Sequence, residues 1–337
     1  MKKASVIIIF AVILLMFAVQ PMMAQNVYKF KISLNTGMDH PRNQGILMFM
    51  DTVKKESGGR LMPELFHSGQ LYRGGDVPKA LNLGTLDMGA PATGYLTSYD
   101  VNACMNYLPM FYGRTPEKIR EFMDSGYSEA ISETIEKKMG VKVLGRFYEL
   151  GYVHILTTRK PIEKIEDFKG LKIRYPTSPE FALRLKAFGA SPMQISLADL
   201  AMALLQGTVD GTITNFKVAD SDKLDESGIK YAVKEYGALG HYMPIVSKRF
   251  WNSLPKNLQQ IMVEAWEGTV DQEREMSEKM QREGEMNLEK RGVKIYRPSD
   301  EERTEWRNYI MPVQADFIKE MKYNNDLINL AKKILGM

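Results

Sequence analysis

Arg174 stands at the end of a short apolar run, Leu171 to Ile173, just before Tyr175 and Pro176. Proline lacks a backbone donor and restricts the residue before it, so the run is expected to form a strand that ends there, with the arginine at its edge. Ser178 is placed to cap a following helix, Pro179 suits its first position, Glu180 suits its positive end, and Gly189 follows its last turn. A second helix is expected from Ser196, where Asp199 stands at capping-box spacing, and Gly207 closes it before a strand over Val209 to Thr214. A guanidinium at a loop edge beside a helix start is a place to hold an anion, because its planar fork of donors matches a carboxylate and it keeps its charge. An arginine after a strand is more often a solvated or salt-bridged surface residue, so spacing alone does not decide.

The stretch from Phe168 to Phe216 resembles the signature region of the TRAP-type solute-binding proteins, the dicarboxylate-binding DctP-like family. Three blocks carry the resemblance in order: DFKGLKIRYP, GASPMQI and ALLQGTVDGTITN. Weaker similarity runs through SGQLYRGGD, NYLPMFY and RFWNSLPKNLQQIM. The resemblance implies an α/β fold of two lobes, like the type II periplasmic binding proteins, with one long helix spanning both. It also implies a periplasmic protein that captures a small organic acid and delivers it to the small and large membrane subunits of a TRAP transporter, driven by an ion gradient. In that family the arginine of the KIR motif makes a two-pronged contact with the ligand's carboxylate, and here that position is Arg174. Many members carry a second arginine upstream, where this chain has His154. A neutral histidine donates one hydrogen bond but supplies less positive charge, which favours a monocarboxylate, or an oxo or hydroxy acid; His154 as a core histidine is the alternative. Thr214 takes the place of the family's ligand-reaching asparagine, with Asn215 one position later, and Ile213 stands where the family often has glutamate.

Loops after strands supply the other candidates. Asn35 and Thr36 follow the opening strand VYKFKISL and His40 follows them; Thr93 to Tyr95 follow a strand that begins at Leu86. Tyr148, Tyr152 and Phe216 could stack on the ligand's carbon skeleton, although aromatic residues in such runs are more often core.

The elements that must position these residues are legible in outline. A chain of 337 residues exceeds one hydrophobic core. Gly84-Thr85-Leu86-Asp87 and Gly207-Thr208-Val209-Asp210 repeat a helix stop and a strand start, which fits two lobes of similar build. The expected division is 25–150 with about 238–275 for one lobe, and 151–237 with about 276–337 for the other. A helical pattern over Gln44 to Ser57 follows the first strand. From Pro255 to Arg291 the sequence is nearly free of breakers and reads as one helix of roughly 54 Å, long enough to cross both lobes. A last helix is expected from Ser299, with Glu302 completing its cap. Ligands of such folds sit where the carboxyl ends of strands from two lobes face each other.

Lys2 and Lys3 precede an apolar run from Val6 to Val19, and Ala24 suits cleavage, so 1–24 reads as a secretory signal peptide. The run is shorter than the ~20 residues that span a bilayer, which disfavours a retained anchor. Cys104 is the only cysteine, so neither an internal disulfide nor a multi-cysteine metal site can form. With 45 basic and 41 acidic residues, the chain carries no excess that would call for nucleic acid. The four histidines, at 40, 67, 154 and 241, show no metal-ligand spacing, and no nucleophile elbow, zinc-protease motif or phosphate-binding glycine loop occurs. The expectation is a monomeric binding protein without cofactor or metal, not an enzyme. The alternatives are a ligand-binding partner of a periplasmic sensor kinase and, behind it, a periplasmic enzyme.

Overall fold

Tyr28 to Ser33 alternates lysines with Phe30 and Ile32, and this period of two makes a strand whose apolar face turns inward. The computed structural model describes residues 26–337; the expected signal peptide lies outside them. Eleven strands follow in chain order among the described residues: β1 (Tyr28–Ser33), β2 (Leu61–Phe66), β3 (Met88–Gly89), β4 (Val141–Val143), β5 (Tyr148–Thr157), β6 (Lys172–Tyr175), β7 (Ser191–Gln194), β8 (Gly211–Thr214), β9 (Tyr231–Tyr242), β10 (Ile245–Ser247) and β11 (Lys294–Tyr296). They form two sheets, ordered β2-β1-β3-β10-β4 and β11-β9-β5-β8-β6-β7, each flanked by helices. This is the expected two-lobed α/β architecture.

The repeated Gly-Thr-apolar-Asp segments are equivalent down to their hydrogen bonds. Gly84 and Gly207 both end a helix in the left-handed region, at φ 69° and 67°. Asp87 accepts the backbone N–H of Lys31 on β1 at 2.9 Å, and Asp210 accepts that of Lys172 on β6 at the same distance. Each carboxylate thus pins a helix stop to the neighbouring parallel strand. The match of Lys31 with Lys172 aligns the loop after β1, Asn35 and Thr36, with the loop after β6, Pro176 and Thr177.

β5 and β9 join the lobes. Tyr148 and Tyr242, at one end of the pair, pack with Phe49 and Trp266 in the first lobe, whereas Ile155 and Val233 belong to a core with Ile173 and Trp306 in the second. Their antiparallel register slips between Glu149 and Gly151 and again between Val153 and Ile155, so the ladder is bulged where it crosses. Over this crossing lies the helix Lys256–Lys290, about 52 Å long at 1.5 Å per residue. Met262, Trp266 and Val270 anchor it in the first lobe and Leu288 in the second.

Three local expectations need correction. The helix Asn325–Leu335 does not complete the second lobe: Ile328, Ala331 and Leu335 pack with Ile119, Phe122 and Ile131 of the first. Ser178 does not cap the helix Pro179–Ala187; its backbone lies at φ 83°, and its hydroxyl bonds Glu180 instead. Ser196 occupies the N-cap position of the helix Leu197–Leu205, yet its hydroxyl donates to the Asp199 carboxylate at 2.6 Å rather than capping the backbone. At Ser299 the reciprocal cap with Glu302 forms as expected.

Candidate functional site

Between the lobes opens a cleft of about 980 Å³, lined by the loop after β1, the Arg73–Asp76 turn, Tyr95, the loop after β6 and the helix Phe216–Ser221. Its inner end narrows to a pocket of about 90 Å³ that Arg174 lines together with Tyr107, Val153, Phe181, Ile213 and Thr214. The strand and proline that fix Arg174 behave as the sequence implies. β6 delivers the side chain inward, where it is only 2% exposed.

Two main-chain carbonyls aim the guanidinium. Nε donates to Ile195 O at 2.8 Å and Nη1 donates to Ile213 O at 3.3 Å, while the buried Nη2 has no partner. A buried, unmatched donor costs roughly 1–3 kcal/mol, so this edge of the fork is set for an acceptor from outside the chain. Burial pulls the guanidinium down to about 10, Tyr95 and Asp222 oppose the shift, and the group stays charged at neutral pH. Tyr95 lines both the pocket and the outer cleft; burial raises its pKa, so its hydroxyl remains a neutral donor.

Arg42, which the sequence reading passed over, organises the facing wall. It donates to Ala90 O at 3.0 Å, to Asn35 Oδ1 at 3.0 Å and to Thr36 Oγ1 at 2.7 Å, and it lies over the Tyr242 ring at 4.2 Å. All of its useful donors are occupied within the protein. Because Asn35 turns its oxygen toward Arg42, its NH₂ group is left to face away, on the cleft side. Only the position of Arg42 in the first turn of Pro41–Glu56, after His40, could have marked it.

The other expected site residues divide. Asn35, Tyr95, Thr214 and Asn215 line the inner pocket with Arg174, and His40 lines the outer cleft. Asn215 and His40 already serve as helix caps: Asn215 Oδ1 accepts from Val218 N at 2.7 Å, and His40 Nδ1 accepts from Arg42 N at 3.2 Å. His154 does not reach the cleft. Its ring packs against Phe216 at 4.5 Å, Nδ1 accepts from Tyr236 N at 3.4 Å, and burial holds its pKa well below the usual histidine value. His154 pairs with Thr214 across the β5–β8 ladder, and the rings of Tyr152, Phe216 and Tyr236 enclose it there.

Tyr148, Tyr152, Phe216 and Thr93 also lie outside the cleft lining. Tyr148 stacks on Trp266 at 3.9 Å, Tyr152 donates to Arg114 O at 2.6 Å, Phe216 stacks on His154, and Thr93 accepts from the Cys104 thiol at 3.6 Å. Among the described residues no group of histidines, cysteines and carboxylates is arranged to hold a metal ion.

The profile of the bacterial extracellular solute-binding protein family 7, DctP, matches residues 32–320. The chain belongs to this family. A curated relative, the C4-dicarboxylate-binding periplasmic protein DctP of Rhodobacter capsulatus, is 24% identical over 292 residues, covering 86% of each chain. Two solved TRAP periplasmic solute-binding proteins are each 25% identical with a TM-score of 0.82. One, from Ralstonia eutropha with bound (S)-2-acetolactate, covers 91% of this chain and 98% of its own. The other, from Sulfurospirillum deleyianum with bound succinate, covers 92% and 98%. Family 7 membership accounts for the two-lobed α/β fold.

Proposed function

We propose that this family 7 protein captures a small organic acid in the periplasm, clamps its carboxylate with Arg174, and presents the closed form to the small and large membrane subunits of a TRAP transporter. The signal-like segment at 1–24 supports export, and the carboxylate ligands of the relatives support the ligand class. The observation that carries the reading is the unmatched, buried Nη2 of Arg174 at the end of a narrow pocket between two lobes. A carboxylate oxygen there would complete the guanidinium's bonding, and closure would exclude the water that otherwise weakens a charged pair. With Arg42 occupied and His154 enclosed, Arg174 is, among the described residues, the lone cation of the inner pocket, which favours a ligand anchored through one carboxylate.

Arg174→Ala should lower affinity at least about a hundredfold, the scale of a lost charge-assisted pair, while the thermal midpoint of the unliganded protein stays at or above the wild-type value. Calorimetric titration with a panel of mono- and dicarboxylates measures the affinities, and thermal melts of the unliganded proteins measure the midpoints. Unchanged affinity in the variant would remove Arg174 from the site.

A further inference from the structure

The charge in the cleft changes sign from its inner to its outer end. Inside, Arg174 is the only charged lining residue among the described residues. Outside, the lining carries three carboxylates, Asp39, Asp76 and Asp222, against one arginine, Arg73, whose guanidinium stands 3.9 Å from Asp199. Asp39 is matched, since it accepts from Lys217 Nζ at 2.7 Å and Ser221 Oγ at 2.8 Å. Asp222 is different: among the described residues no side chain bonds or pairs with it. It follows the helix Phe216–Ser221, one turn beyond Val218, which lines both the inner pocket and the outer cleft. A free carboxylate and a free guanidinium edge therefore occupy two stations along one continuous channel.

Burial pushes the Asp222 carboxyl up, Asp39 adds to the shift, and Arg174 opposes it, so the two ends sense each other's charge. A ligand bearing a second carboxylate would bring like charge toward Asp222 with no lining cation but the outlying Arg73. A ligand bearing a cationic nitrogen would match both stations. We propose that the cleft takes a zwitterion, with its carboxylate on Nη2 of Arg174 and its cationic nitrogen toward Asp222. The inference rests on the carboxylate-clamp reading above and deepens it by naming the ligand class.

Two matched sets of probes test it by calorimetric titration of the mature protein: butyrate, 4-aminobutyrate and succinate, and 4-methylpentanoate, leucine and 4-methyl-2-oxopentanoate. In at least one set the amino acid should bind about tenfold or more tightly than its analogues. Asp222→Asn should remove that preference, so that the amino acid binds no more tightly than the simple monocarboxylate. Tighter binding of succinate, lost in Arg73→Ala, would overturn the inference while preserving the role of Arg174; so would an amino-acid preference that Asp222→Asn leaves intact. No binding by any probe in either set would overturn the clamp and this inference together.

Discussion

Glu180 begins the helix after the arginine strand and is wholly buried, yet both of its oxygens have donors, the hydroxyls of Ser178 and Tyr323. Burial raises its pKa to about 7, and the two hydroxyl bonds pull against that shift. The folded protein therefore keeps this proton until about pH 7, whereas the unfolded chain releases it in the ordinary carboxylate range. Its contribution to stability is fully present below the unfolded value and is lost as pH rises through about 7. Urea unfolding of wild type and Glu180→Gln at pH 4.5 and 8 should show the wild type losing roughly 3 kcal/mol relative to the variant at the higher pH. An equal difference at both values would mean that Glu180 titrates normally. At this scale a strand end, a proline and a helix start place Arg174 in the sequence, and the resemblance of its KIR motif singles it out. The sequence left His154, Tyr148 and Tyr152 open between cleft and core because the pleat and the bulges of β5, which decide how a ring faces, leave no mark in residue type; Phe216, also left open, begins the helix after β8 and packs on His154. Arg42 escaped notice because its role lies in fixing Asn35 and Thr36, and nothing in its spacing distinguishes it from a surface arginine.

The helix Lys256–Lys290 holds two glycines that look alike in sequence and differ in the fold. A Cβ on Gly268 would meet nothing within 4 Å, whereas one on Gly284 would lie 2.8 Å from Phe216 O and 3.0 Å from Lys217 Cα. Gly284 lets the helix Phe216–Ser221 press against the spanning helix, and that short helix carries Val218 and leads to Asp222 at the cleft. Gly268→Ala should raise stability by up to about 1 kcal/mol, since alanine restricts the unfolded chain and suits a helix. Gly284→Ala should instead cost about 1–3 kcal/mol and weaken ligand binding, because backbone must shift. Paired denaturation curves decide this, and stabilisation by both substitutions would refute the close-packing account. Long helices and alternating strands were legible here, and so was the repeated Gly-Thr-apolar-Asp signal, which the structure extends into matching aspartate-to-backbone bonds. β2 and β7 were not, because Pro63 and Pro192 interrupt them; both are edge strands, where a missing donor is tolerated.

Closure of the whole molecule is held at three places of different character. The bulged β5–β9 pair and the spanning helix form the permanent connection, while Thr177 Oγ1 donates to Gly94 O at 3.1 Å across the inner cleft, and Lys217 and Ser221 reach Asp39 across its rim. The last of these can exist only when the lobes are together, so it biases the equilibrium between open and closed forms without touching the ligand. Burial raises the Asp39 pKa, but the bonds from Lys217 and Ser221 outweigh this and leave it below the ordinary aspartate value. The latch therefore holds at neutral pH and releases as pH falls below the ordinary aspartate value. Asp39 is more than half exposed, and pairs of that kind contribute about 0.2–1 kcal/mol, less at high salt. Asp39→Asn should accordingly weaken ligand affinity by no more than about fivefold. It should also increase the radius of gyration of the unliganded protein in X-ray scattering, with little change once ligand is saturating. Raising the ionic strength should move the wild type toward the variant and leave the variant nearly unaffected. A variant whose unliganded radius matches wild type at low salt would show that the rim contact follows closure and does not help to drive it.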